Sequence, residues 1–139
     1  SYGMYDESVA LYKQVLAQKP DDFAALNNLA SVYTQAGKLT KAAELAKQVI
    51  EIAPDSPYAL DTYGYVLLKQ GKVEEGQAFV ERALGKEPNN KEIQLHNVEA
   101  LILNDELTQA RSMLSRIRPA TPLQRSLHEE LKSRLDEQK

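Results

Sequence analysis

His96 lies four residues after Glu92 and three before Glu99, so on a helix the three side chains share one face. An imidazole flanked by two carboxylates can ligate a metal. On a charged helix the same set forms a surface cluster of modest electrostatic benefit, and that is the expectation here. His128, 32 residues further on, has no carboxylate pair at ligand spacing. There is no cysteine, which excludes disulfides and thiolate metal sites and leaves the redox compartment open. Neither a G-x-S-x-G elbow, a Walker loop nor a dinucleotide glycine fingerprint occurs. Serines, threonines and acids are scattered at helix starts and outer faces, where capping and solubility account for them. The chain is expected to be no enzyme and to hold no cofactor or metal.

The elements that must position these residues read as helices. In residues 22–36 apolar side chains fall at 26, 29, 30 and 33, and in 39–52 at 39, 42, 45, 46, 49 and 50, the spacing of one helical face. Gly37 and Gly71 separate consecutive helices, where a reversal favours positive φ. Pro20, Pro54 and Pro88 end one unit, and Asp21-Asp22, Asp55-Ser56 and Asn89-Asn90 offer N-caps for the next. Pro57 suits a first helical turn. Thr121-Pro122-Leu123-Gln124 is a capping-box arrangement, followed by a stripe of Leu123, Leu127, Leu131 and Leu135 between charged flanks that include Arg125, Glu129, Glu130, Lys132 and Arg134. That stripe predicts a helix over 121–137 closing the end of the fold, the other reading being a seam on which a partner docks.

The 139 residues suit one domain or one short array. The net charge of −3 gives no general electrostatic reason to bind nucleic acid or an anionic membrane. No apolar run approaches the ~18 residues of a membrane span, so no direct membrane insertion is expected. Neither a signal-peptide nor a transit pattern is present.

Prolines 20, 54, 88 and 122 recur every 34 residues. Leu26 aligns with Leu60, Leu29 with Tyr63, Ala30 with Gly64, Gly37 with Gly71, and Ala42 with Gly76 and Ala110. Such a period marks units that bury their apolar faces only by stacking. The pattern resembles the tetratricopeptide repeat (TPR), a helix–turn–helix of that length. The resemblance implies an all-α right-handed superhelix of antiparallel helix pairs, a TPR α-solenoid. Residues 4–20 correspond to the second helix of a truncated repeat, 21–54 and 55–88 to complete repeats, 89–118 to a degenerate one, and 121–137 to the capping helix. Gly64 and Gly76 hold small positions that let paired helices approach closely. In the degenerate repeat Gln94, Asn97, Val98 and Asp105 depart from the pattern, Ile117 also stands at a usually small position, and its helix pair is expected to pack less closely. The chain opens at Gly3-Met4-Tyr5, inside what would be an interhelical turn, and reads as a piece of a longer protein.

The resemblance also implies a concave groove lined by the first helix of each repeat. By position the groove residues are Asn27, Asn28 and Ser31, then Tyr58, Asp61, Thr62, Tyr65 and Lys69, then Glu92, His96 and Glu99. Tyr58 and Tyr65 are the sharpest candidates, because a ring with a hydroxyl gives large contact area at low entropic cost. The alternative is that both pack against the next repeat. Asp61, Glu92 and Glu99 point to a mildly acidic groove preferring a neutral or basic segment. TPR modules that clamp the carboxylate tail of heat-shock chaperones use lysine, asparagine and arginine at places held here by Asn27, Ser31, Thr62, Glu92 and His96, so that ligand is not expected.

The expected function is a protein–protein interaction scaffold that binds a peptide or helical segment in the groove. Two other readings are a structural spacer or self-association segment, acting through the apolar face of residues 4–20, and an accessory domain of an enzyme elsewhere in the full-length chain. Ile93-Gln94-Leu95-His96 resembles the opening of repeats in bacterial TPR proteins of exopolysaccharide and protein-sorting systems. It implies a bacterial source and leans toward the cell envelope or periplasm, with the cytoplasm left open.

Overall fold

The computed structural model describes residues 2–138. The helices are α1 (Tyr2–Gln18), α2 (Phe23–Gln35), α3 (Leu39–Ile52), α4 (Pro57–Lys69), α5 (Val73–Lys86), α6 (Lys91–Leu103), α7 (Leu107–Arg116) and α8 (Pro122–Glu137). Among the described residues there is no strand. Each helix packs on its successor, and α2, α4, α6 and α8 also touch in series, forming one row.

Local chemistry starts and stops these helices as the sequence suggests. Asp22 Oδ1 accepts the Ala25 amide at 2.9 Å, Ser56 Oγ accepts those of Tyr58 and Ala59, and Asn90 Oδ1 accepts that of Ile93 at 3.0 Å. Thr121 Oγ1 accepts the Gln124 amide at 3.1 Å. The reciprocal half of that box differs from expectation: Gln124 Oε1 accepts from the amide of Ala120, one residue before the cap.

Three reversals share one geometry. Gly37 (φ 77°), Gly71 (φ 86°) and Asp105 (φ 61°) are left-handed. Each is followed by an amide that donates back across the turn, from Lys38 to Tyr33 O, Lys72 to Leu67 O and Glu106 to Leu101 O. The Schellman arrangement therefore survives where aspartate replaces glycine, because a short polar side chain tolerates this region better than most.

The core is shared between successive hairpins. Leu29, Ala30 and Tyr33 of α2 pack with Ala42 and Ala46 of α3, Val66 of α4, and Val9, Tyr12 and Leu16 of α1. Leu60 and Leu68 of α4 join Val80 and Ala83 of α5 and Ile93 and Ala100 of α6. Leu95, Val98 and Leu101 of α6 join Ala110 and Leu114 of α7 and Leu131 and Leu135 of α8.

Within the α4–α5 pair, Gly64 and Gly76 meet backbone to backbone. A Cβ on Gly64 would lie 2.9 Å from the Gly76 carbonyl oxygen, and one on Gly76 would lie 2.7 Å from that of Gly64. The α6–α7 contact is smaller, α7 is only 10 residues long, and Val98 occupies the place of Gly64.

One expectation is corrected at the start of the chain. Gly3 lies within α1 and is not in a turn: positive φ is confined to Gly37 and Gly71 among the described glycines. Met4 and Leu11 of α1 are exposed (69% and 57%).

Candidate binding groove

Position along the first helices decides which polar side chains are free to meet a ligand. Asp61 and Tyr65, one turn apart on α4, face His96 and Glu99 on α6. His96 Nδ1–H donates to Asp61 Oδ1 at 2.8 Å and Oδ2 at 2.9 Å. The imidazole lies flat on the Tyr65 ring, with centroids 3.7 Å apart and planes 13° from parallel. Tyr65 Oη–H donates to Glu99 Oε1 at 2.8 Å, while Lys69 Nζ reaches Glu99 Oε2 at 2.6 Å and stands over the Tyr65 ring. Arg134 of α8 adds a longer approach to the same oxygen, at 3.8 Å. Glu99 is 2% exposed, and His96 and Asp61 are 7% exposed each.

Electrostatics follow from this burial. Removal from water would lower the His96 pKa, but the Asp61 carboxylate, with Glu92 and Glu99 behind it, outweighs burial and raises it above the ordinary value. Asp61 therefore favours the protonated form of His96. Burial, then the adjacent Glu99 charge, holds the Tyr65 phenol far above its usual range.

Tyr65, Lys69 and His96 of this network form the floor of a cavity of about 500 Å³ between α2, α4, α6 and α8. Thr34, Gln35 and Leu39 close one side, Tyr65, Lys69, Glu92, Leu95 and His96 form the base, and Leu123, Leu127 and Glu130 of α8 form the opposite wall. A smaller recess of about 20 Å³ beside it brings Ser31, Asp61 and Thr62 to the same place.

The expected groove residues therefore divide. Tyr65, Lys69, Glu92 and His96 line the cavity, whereas Ser31, Asp61 and Thr62 reach only the recess. Asn27, Asn28, Tyr58 and Glu99 line neither; Tyr58 stands half exposed at the start of α4. The expectation of a surface cluster at His96 and Glu99 is corrected, since both are buried, and His96 pairs with α4 in place of its helical neighbours. Asp61 and Glu99 are likewise spent inside the protein. Among the described residues no group of three His, Asp or Glu side chains is placed to hold a metal.

The sequence offered α8 as a cap or a docking seam, and its place as a wall of the groove was missed. Its signal was present in the exposed half of the leucine stripe: Leu131 and Leu135 are buried in the core, while Leu123 is 55% exposed over the groove.

Comparison with known proteins agrees with this architecture. The TPR domain of Sgt2 from Aspergillus fumigatus is 21% identical, with 78% of this chain and 73% of that one covered at a TM-score of 0.65. The first TPR of Spaghetti (RPAP3), bound to the HSP90 peptide SRMEEVD, is 25% identical, with 82% of each chain covered and a TM-score of 0.59. A MamA fragment from Desulfovibrio magneticus RS-1 is 19% identical with a TM-score of 0.67; the match takes in 84% of this chain but only 66% of the MamA chain. No curated protein matches the sequence significantly. The tetratricopeptide repeat sequence profile matches residues 1–62 and 67–135. With the recurring prolines, the three equivalent reversals and the stacked pairs of a right-handed solenoid, this places the chain in the tetratricopeptide repeat family.

Proposed function

We propose that the chain is a protein-interaction scaffold that holds a segment of a partner protein in the groove between α2, α4, α6 and α8. The observation that carries this is the cavity itself: it is open to solvent, floored by a rigid polar network and walled by leucines. Such an arrangement suits anchoring side chains of an extended or helical segment. A relative at 25% identity has a peptide bound, which supports peptide capture. The acidic tail of that peptide is a poor match here, because His96 is hydrogen-bonded to Asp61 and Lys69 is paired with Glu99.

Filling the groove from its rim tests the proposal. Gln35 and Ser126 are exposed cavity residues, so replacing both with Trp should leave the fold intact. Proteins captured by the wild type from an extract of the source cells should be lost with Q35W/S126W. An identical capture list from both would remove the groove from the account.

A second reading is favoured by α1. Its exposed Met4 and Leu11 suit end-to-end self-association, for which a concentration series in sedimentation is the measurement, a persistent monomer counting against it. The finer assignment to assembly of a bacterial envelope complex rests on the Ile93-Gln94-Leu95-His96 resemblance. Fractionation of the full-length protein with envelope or cytoplasm tests it.

A further inference from the structure

Two of the charged groupings at and behind the cavity lining are paired within the protein. Lys69 pairs with Glu99 at 2.6 Å, with Arg134 3.8 Å from the same oxygen, and His96 is hydrogen-bonded to Asp61 at 2.8 Å. Glu92 on the α6 side and Glu130 on the α8 side have no ion pair among the described residues, and both line the cavity. The groove thus presents two carboxylates that belong to no ion pair beside the apolar side chains of Leu123 and Leu127.

A second observation is independent of those carboxylates. His96 is 93% buried and lines the cavity, and its Nδ1 is fully used by Asp61. Nε2 makes no hydrogen bond within the described protein. It is thus left to bond a group of the ligand, as a donor when the ring is protonated. A ligand carboxylate at that point would be repelled by Glu92 and Glu130, whereas a main-chain carbonyl would not.

We propose that the segment held in the groove is basic and aliphatic. A Lys or Arg of the partner faces Glu92 and Glu130, and a neighbouring aliphatic side chain rests on Leu123 and Leu127. This rests on the groove being the capture site. It assigns a charge preference opposite to that of an acidic peptide tail.

The test is a displayed library of random short peptides panned on the wild type, with the enriched sequences synthesised and titrated by fluorescence anisotropy against E92Q/E130Q and Q35W/S126W. Both carboxylates are exposed, so their replacement should leave the helical circular dichroism and melting unchanged. The expected result is enrichment of Lys or Arg next to Leu, Ile or Val, with affinity reduced on the order of tenfold in E92Q/E130Q and weakened by added salt. Acidic or uncharged winners that Q35W/S126W still abolishes would overturn the charge assignment and leave groove capture standing. Winners indifferent to Q35W/S126W would overturn groove capture and this inference with it. A library yielding no binder to the wild type would also count against the proposal.

Discussion

Tyr65 shows how the same side chain serves packing and a ligand surface at once. Its ring face is taken by His96, its hydroxyl by Glu99, and only the remaining edge reaches the cavity. Tyr65→Phe would strand a buried carboxylate oxygen, and we expect it to lower unfolding free energy in urea by about 1.5–3 kcal/mol. An unchanged midpoint would mean that Glu99 finds another donor. His96 supplies a pH test whose sign is set by its raised pKa. Stability from the pair is fully present below the unfolded value of about 6.5 and is lost as pH rises through the folded value. The groups facing the imidazole are Asp61 and Tyr65 from α4, with Glu92 and Glu99 from its own helix. The melting temperature should therefore decline as pH rises above that range, and His96→Gln should flatten the decline. The sequence placed Asp61, Tyr65, His96 and Glu99 on first helices facing one side. It could not show that residues 34 and 35 apart would meet, because that depends on the separation of α4 and α6.

At the scale of elements, the helix pairs differ in how closely they approach, and the small residues explain it. Alanine at Gly64 would gain about 1 kcal/mol of helix propensity. Its methyl would collide with the Gly76 carbonyl and with Phe79 and Val80, so Gly64→Ala should instead destabilise by about 1–3 kcal/mol in chemical denaturation. The opposite is expected at Asp105, whose φ of 61° is costly for any residue with a Cβ. Asp105→Gly should raise unfolding free energy by about 0.5–1 kcal/mol. Both positions were legible from the period. The glycine alignment marked the close approach, and aspartate in the glycine column marked the strained turn. Less legible was α1, where the periodic assignment put Gly3 in a turn. Gly3 instead continues the helix.

For the molecule as a whole, α8 packs its buried leucines against α6 and α7, while α1 exposes Met4 and Leu11. Leu131 is fully buried where α8 meets α6 and α7, so Leu131→Ala should cost about 2–5 kcal/mol. Because each hairpin gains its core from its neighbours, that loss should appear first as faster amide exchange in α6, α7 and α8. Uniform loss of protection along α2 and α3 would argue for a single cooperative unit instead. The same helix builds a wall of the groove with its other half, so capping and ligand contact are divided along one leucine stripe.

The amino-acid order alone determined the helical hairpins, their caps, the left-handed reversals and the shared apolar faces. Those features depend on interactions within a few residues or on a constant offset that repeats along the chain. Only the tertiary structure decided which charges are consumed in pairs and which remain open to a partner, and that the eighth helix flanks the groove. These outcomes depend on the curvature accumulated over successive hairpins, where displacements of a few ångströms separate an ion pair from a solvated charge, and no local pattern of residues encodes that distance.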